Sequence, residues 1–276
     1  MKIIEIYFSP TETTKKIVHS IGQAFVSAGD TLLSIDLTNP RVRETPPELN
    51  GDLCIVGAPC YEARIPPLVR STLKHLNGAQ IPTVALVVYG NRTIGVSLKQ
   101  LVTILNSASF RVFATGTCIG EHSYATPELP LALHRPDEDD LRAIMQFTAE
   151  LKVKMPDLVS NENARFIGQE IPGRIETLFK FIPEGFLGSF ASPRLLPENI
   201  CTRCGLCVQK CPTEAISPGD FRVDMKKCLR CMACVKCCPV HARPIRYRMS
   251  ALIKKFMKPG LIQRRQPRFR IYGDHS

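Results

Sequence analysis

The chain has 276 residues, 44% of them hydrophobic and 22% charged, with 36 Lys and Arg against 25 Asp and Glu. That much apolar material fills one sizeable core and a smaller one, which excludes disorder throughout. The longest apolar run, Ile81 to Tyr89, contains Pro82 and Thr83 and falls well short of the roughly 18 residues that cross a bilayer, so a soluble protein is expected.

The N-terminus places Glu5 inside its apolar stretch and offers no small-residue cleavage site, so the expected location is cytoplasmic. Charge is uneven along the chain. Residues 1–200 carry 19 basic and 21 acidic residues, residues 201–242 carry 7 and 3, and residues 243–276 carry 10 and 1.

Lys2 to Phe8 reads as a strand that ends at Ser9-Pro10-Thr11-Glu12-Thr13-Thr14-Lys15. A helix follows, with Ile17, Ile21, Ala24 and Phe25 on one face. Further strands are expected at Thr31–Leu37, Leu53–Val56, Thr83–Val88 and Val112–Ile119. Helices are expected between them at Pro67–His75 and Val96–Asn106, and a last one at Asp137–Lys154 behind the acidic cap Asp137 to Asp140. Five strands alternating with helices give a parallel α/β sheet over residues 1–155.

Such a sheet binds its ligand at the carboxyl ends of the strands, near the switch point between the first and third. After strand one, four hydroxyl residues in six positions enter a helix N-terminus and offer donors to a phosphate. A plain helix cap is the alternative reading of that turn. After strand three come Pro59, Cys60 and Tyr61, and after strand four Tyr89, Gly90, Asn91 and Arg92. Both loops can set a ring and backbone amides beside a flat heterocycle, although the two tyrosines are equally readable as ordinary strand-end residues. Cys54 and Cys118 read as core. Glu121-His122 ends strand five and reads first as an ordinary surface loop, with proton transfer near the bound ring as the alternative.

This first part resembles a flavodoxin. The family's Ser/Thr-x-Thr-Gly-x-Thr phosphate loop is matched by Ser9, Thr11, Thr13 and Thr14, with Glu12 in the Gly position. The resemblance implies a sheet of order 2-1-3-4-5 that binds FMN, with Tyr61 and Tyr89 flanking the isoalloxazine. A carboxylate at position 12 opposes the ribityl phosphate unless it turns to solvent.

Residues 156–197 form a connector. The stretch to residue 200 holds five prolines and five of the thirteen phenylalanines, so it is not a solvated linker. Ile175, Leu178, Phe179 and Ile182 have helical spacing, and the segment is expected to pack between two domains with Phe186 and Phe190.

Nine of the twelve cysteines lie between Cys201 and Cys238. Two runs, Cys201-x-x-Cys204-x-x-Cys207-x-x-x-Cys211-Pro212 and Cys228-x-x-Cys231-x-x-Cys234-x-x-x-Cys238-Pro239, repeat each other 27 residues apart. In this pattern three thiolates wrap one [4Fe-4S] cubane and the fourth reaches the other. The expected ligand sets are Cys201, Cys204, Cys207 and Cys238, and Cys228, Cys231, Cys234 and Cys211. Paired zinc sites or disulfides are the alternatives, but zinc does not account for the third step or the Cys-Pro endings. Cys237 reads as a small buried residue. Over residues 198–248 the chain resembles the bacterial two-[4Fe-4S] ferredoxins, and as a whole the flavodoxin-ferredoxin fusion family of anaerobic prokaryotes. Gly205 of the first run is replaced by Met232 in the second, a change expected to shield the second cluster or shift its potential.

Residues 249–276 are expected as a basic tail. Arg243 to Arg270 holds ten basic residues and no acid, with Tyr247, Phe256 and Phe269 interleaved. It reads first as a solvated extension partly docked on the acidic domain, next as a surface for an acidic redox partner, and last as a nucleic-acid site. The functional expectation is electron transfer between FMN, two [4Fe-4S] clusters and external redox partners. The alternatives are a flavin-dependent reductase fed by the clusters, and a ferredoxin on a vacant flavodoxin scaffold.

Overall fold

The structure, a computed structural model, describes residues 1–166, 183–196, 200–248 and 250–272. Five strands, β1 (Lys2–Tyr7), β2 (Thr31–Asp36), β3 (Leu53–Pro59), β4 (Pro82–Tyr89) and β5 (Arg111–Ile119), lie parallel in the order 2-1-3-4-5. This is the doubly wound flavodoxin-like order. Every residue of β3, β4 and β5 is buried, which is why these strands are apolar runs without alternation.

Helices α1 (Thr13–Phe25) and α5 (Glu138–Ser160) cover one face, where Ile17, Ile21, Ile144 and Leu151 pack on Ile3, Ile55 and Leu86. Helices α3 (Pro67–Lys74) and α4 (Ser97–Ser107) cover the other, where Val69, Leu73, Leu101 and Leu105 meet Ile4, Val56 and Val87. A short α2 (Pro40–Glu44), capped by Asn39, was not expected. Helix α5 also runs six residues past its expected end at Lys154, through Pro156. Burial of Leu158 and the Arg111 guanidinium, which donates to the carbonyls of Leu158, Val159 and Asn161, hold that last turn.

A sixth strand, β8 (Arg268–Ile271), pairs antiparallel with β5 at the sheet edge. It comes from the segment expected as a basic tail. Gly116 of β5 leaves room for Phe269, since a Cβ there would lie 2.7 Å from its ring, and Phe269 stacks on Phe147 of α5 at 4.3 Å. Helix α8 (Ser250–Ile262) precedes β8, and Arg264 binds both carboxylate oxygens of Asp137 at 2.8 and 3.0 Å. That ion pair holds the Asp137 carboxyl well below the usual range. No helix among the described residues is long and apolar enough to cross a membrane.

The cysteine-rich unit holds β6 (Ala191–Pro193) paired with β7 (Ile245–Tyr247), and two one-turn helices, α6 (Leu206–Gln209) and α7 (Ala233–Lys236). The 27-residue repeat is visible in the backbone. Arg203 and Arg230 share a φ of 54° and 57°, Gly205 and Met232 one of 78° and 61°, and Glu214 and His241 one of 50° and 51°. The expected connector helix around Ile175 to Ile182 lies outside the described residues.

Candidate functional site

A cavity of about 400 Å³ opens at the carboxyl ends of β1, β3, β4 and β5, a volume within the range of cofactor sites. Ser9, Thr11, Thr13 and Thr14 line one end of it, and Pro59, Cys60, Tyr61, Tyr89, Gly90 and Arg92 line the middle. The structure therefore brings together all but one of the residues expected to hold a flavin. The exception is Asn91. Its side chain is buried and spent on the end of α8 and the segment after it, donating to the carbonyls of Gly260 and Gln263 and accepting from the Arg265 N–H at 3.0 Å.

The first loop is in part the helix cap that is the alternative reading of this turn. Ser9 Oγ accepts from the Lys15 N–H at 3.0 Å, while the N–H groups of Thr13 and Thr14 have no intrahelical acceptor by helix geometry. Glu12 adopts φ 62°, the left-handed region in which glycine is favoured. Its carboxylate is 55% exposed and pairs with Lys15 at 3.3 Å and Lys210 at 3.6 Å. The charge is thus directed away, toward the cysteine unit. Gly120 permits Thr13 to come close, because a Cβ there would lie 2.3 Å from the threonine methyl.

His122 departs from the surface role expected for it. It lines the cavity, packed so tightly on Gly90 that a Cβ at position 90 would fall 2.4 Å from Cδ2 of its ring. Its Nδ1 accepts from the Tyr124 N–H at 3.0 Å, which assigns the ring proton to Nε2. Burial, with Lys236 and Arg92 nearby, depresses its pKa to about 4. A neutral imidazole is the result. Burial likewise raises the Tyr61 and Tyr89 hydroxyls above their ordinary value and pushes the Cys60 thiol up to about 12. Cys60 accepts from Ser97 Oγ at 3.0 Å and is an inert thiol here.

Part of the lining comes from far along the chain: Phe186, Gly188 and Phe190 of the connector, Leu229 and Arg230 of the second cysteine run, and Met257 of α8. Glu62 draws the connector in by accepting from the N–H groups of Gly185 and Gly188. Phe186 and Phe190 are where the sequence expects them, between the two domains, whereas it missed Gly188, Leu229, Arg230 and Met257, because no local spacing marks a contact made across more than a hundred positions.

The eight cysteines of the two runs divide between two smaller cavities. Cys201, Cys204, Cys207 and Cys238 line the first, and Cys211, Cys228, Cys231 and Cys234 the second. Each takes three cysteines from one run and one from the other. Backbone N–H groups already aim at sulfur, from Ala215 to Cys211 and from Ala242 to Cys238, both at 3.2 Å, and from Arg230 to Cys228 at 3.4 Å. That donor pattern suits thiolates sharing the charge of a cluster. Among the described residues, no three His, Cys, Asp or Glu side chains close around a single-ion position. Cys204 is exposed, whereas Cys231, Cys234 and Met232 are buried, so the first cavity is the outer of the two.

Residues 200–242 match the 4Fe-4S dicluster domain family. No curated protein sequence matches the chain. Among solved structures, a flavodoxin from the domain Archaea is 15% identical, with 58% of this chain and 100% of that one covered at a TM-score of 0.40. An NADH:FMN oxidoreductase in its apo form is 20% identical over 62% and 97%, with a TM-score of 0.43. Flavodoxin 1 from Bacillus cereus is 15% identical over 55% and 98%, with a TM-score of 0.39. The fold itself rests on the strand order. A flavodoxin-like sheet and a 4Fe-4S dicluster domain in one chain support a role in electron transfer.

Proposed function

We propose that the chain is an electron carrier in which FMN and two [4Fe-4S] clusters form one internal relay. The observation that carries this reading is the position of Leu229 and Arg230. They stand between Cys228 and Cys231, and the same two residues line the large cavity. A cluster on Cys211, Cys228, Cys231 and Cys234 would therefore adjoin the flavin, and one on Cys201, Cys204, Cys207 and Cys238 would face outward.

In this reading Thr11, Thr13 and Thr14 receive the ribityl phosphate at the start of α1. Tyr61 and Tyr89 flank the ring, and neutral His122 presents an N–H to the cavity. When bound, FMN exchanges one or two electrons and each cluster exchanges one, so the carrier matches two-electron to one-electron partners. The protein supplies position, dryness and hydrogen bonds. The partners are redox proteins with an acidic face, given the basic balance of residues 201–276, and the setting is intracellular.

The test is an FMN titration of anaerobically purified protein followed by flavin fluorescence, with iron and sulfide counted on the same sample. One FMN and eight irons per chain are expected from one flavin and two cubanes. Eight irons with no FMN bound at saturation would leave a ferredoxin on a vacant sheet.

A further inference from the structure

Arg243 is the largest of the fully buried side chains, 2% exposed, and it lines the outer cysteine cavity beside Cys201, Cys204, Cys207 and Cys238. One of its nitrogens, Nη2, donates to the Phe221 carbonyl at 2.7 Å and reaches Cys207 Sγ at 3.7 Å. Nε and Nη1 are buried with no acceptor. Among the described residues no carboxylate lies within ion-pairing distance. A guanidinium cannot shed its proton in a protein and is very costly to bury alone. Its surroundings must therefore contain an anion, and among the described residues the anion-forming groups against it are the cysteines.

We propose that Arg243 is the internal counter-charge of the two-cluster unit, donating through Nε and Nη1 to the cluster on Cys201, Cys204, Cys207 and Cys238 and raising its reduction potential. The inference rests on the proposed cluster occupancy. Reduction adds one electron, and hence one negative charge, beside a fixed positive one, so the reduced form gains more than the oxidised form. Removing the charge makes that cluster harder to reduce. The orphaned nitrogens and the contact with Cys207 point to the outer cluster as the one most affected.

The experiment is a mediated reductive titration with dithionite under argon, read by EPR, on the full chain as wild type, Arg243→Met and Arg243→Lys, with iron counted in each. Fewer than eight irons in the wild type would overturn the occupancy itself, separately from the role of Arg243. With eight irons in all three, R243M is expected to shift one cluster's reduction equilibrium at least tenfold toward the oxidised form, which is 59 mV for a one-electron couple. R243K is expected to stay within about threefold of the wild type. An unshifted R243M would overturn the proposal. Should R243M lose iron, Arg243→Gln, which keeps a donor without the charge, is titrated instead, with the same tenfold shift expected and an unchanged equilibrium overturning the proposal. Iron loss in both neutral variants with R243K intact supports a charge role, and iron loss in R243K as well overturns it in favour of packing.

Discussion

Lys236, on the short helix α7 of the cysteine unit, binds the Glu121 carboxylate at 2.6 Å where β5 ends. Its ammonium also donates to the Ala125 carbonyl at 2.6 Å, so one side chain anchors the second unit to the rim of the large cavity. Both partners are partly shielded from solvent. Lys236→Ala and Glu121→Ala are expected to cost similar amounts, because each removes two contacts, Glu121 also accepting from the His134 N–H at 2.9 Å. A double-mutant cycle by urea denaturation should give a coupling of about 1 kcal/mol, and a coupling of zero would mean that the pair is incidental.

Glu12→Gln tests whether the carboxylate at the family's glycine position matters to a bound phosphate. Its side chain faces Lys15 and Lys210 and is more than half exposed, so the FMN dissociation constant should change less than about tenfold, or about 1.4 kcal/mol. A hundredfold tightening in a fluorescence titration would show that the charge acts on the cofactor after all.

His122 gives a pH dependence of definite sign. Its folded pKa lies near 4, below the ordinary 6.5, so the unfolded chain binds the proton more readily between those values. The contribution to stability is complete above about pH 6.5 and is lost as pH falls toward 4. Between pH 7 and 5 the wild type should lose more stability than His122→Gln. Equal losses in parallel urea titrations would remove His122 as the source.

Asp140 lies at the first turn of α5, fully buried, and binds Arg135 through Nε at 2.7 Å and through Nη2. It also accepts from the Asp137 N–H at 3.1 Å, completing a capping box. Asp140→Asn leaves a buried guanidinium underpaired and should cost about 3 kcal/mol or more, measured as a lower urea midpoint with an unchanged slope.

The parts of this architecture legible in the sequence were those written in local periodicity or spacing. Apolar runs of four to eight residues marked β1 to β5, and the repeated cysteine intervals sorted eight residues into the two sets that line the two cavities. Long-range partners were not legible. Asn91 sat in a loop of the right kind, but its amide is consumed by backbone some 170 positions later. His122 read as exposed because nothing near it shows that the cysteine unit and α8 close over its loop. The alternation Arg268-Phe269-Arg270-Ile271 does carry a strand signal, masked by the charge of its surroundings.

Pairing of β8 with β5 changes what kind of object the cysteine unit is. Counted by chain connectivity, it is an insert between the fifth and sixth strands of one sheet, leashed at both ends, rather than a module hung from the last helix. Its exit returns to the sheet edge as β8, and Lys236, bound to Glu121 and Ala125, ties its body to the end of β5. Separation between the large cavity and the cysteine cavities is accordingly a property of the folded sheet, and lengthening the connector alone would not let the two drift apart.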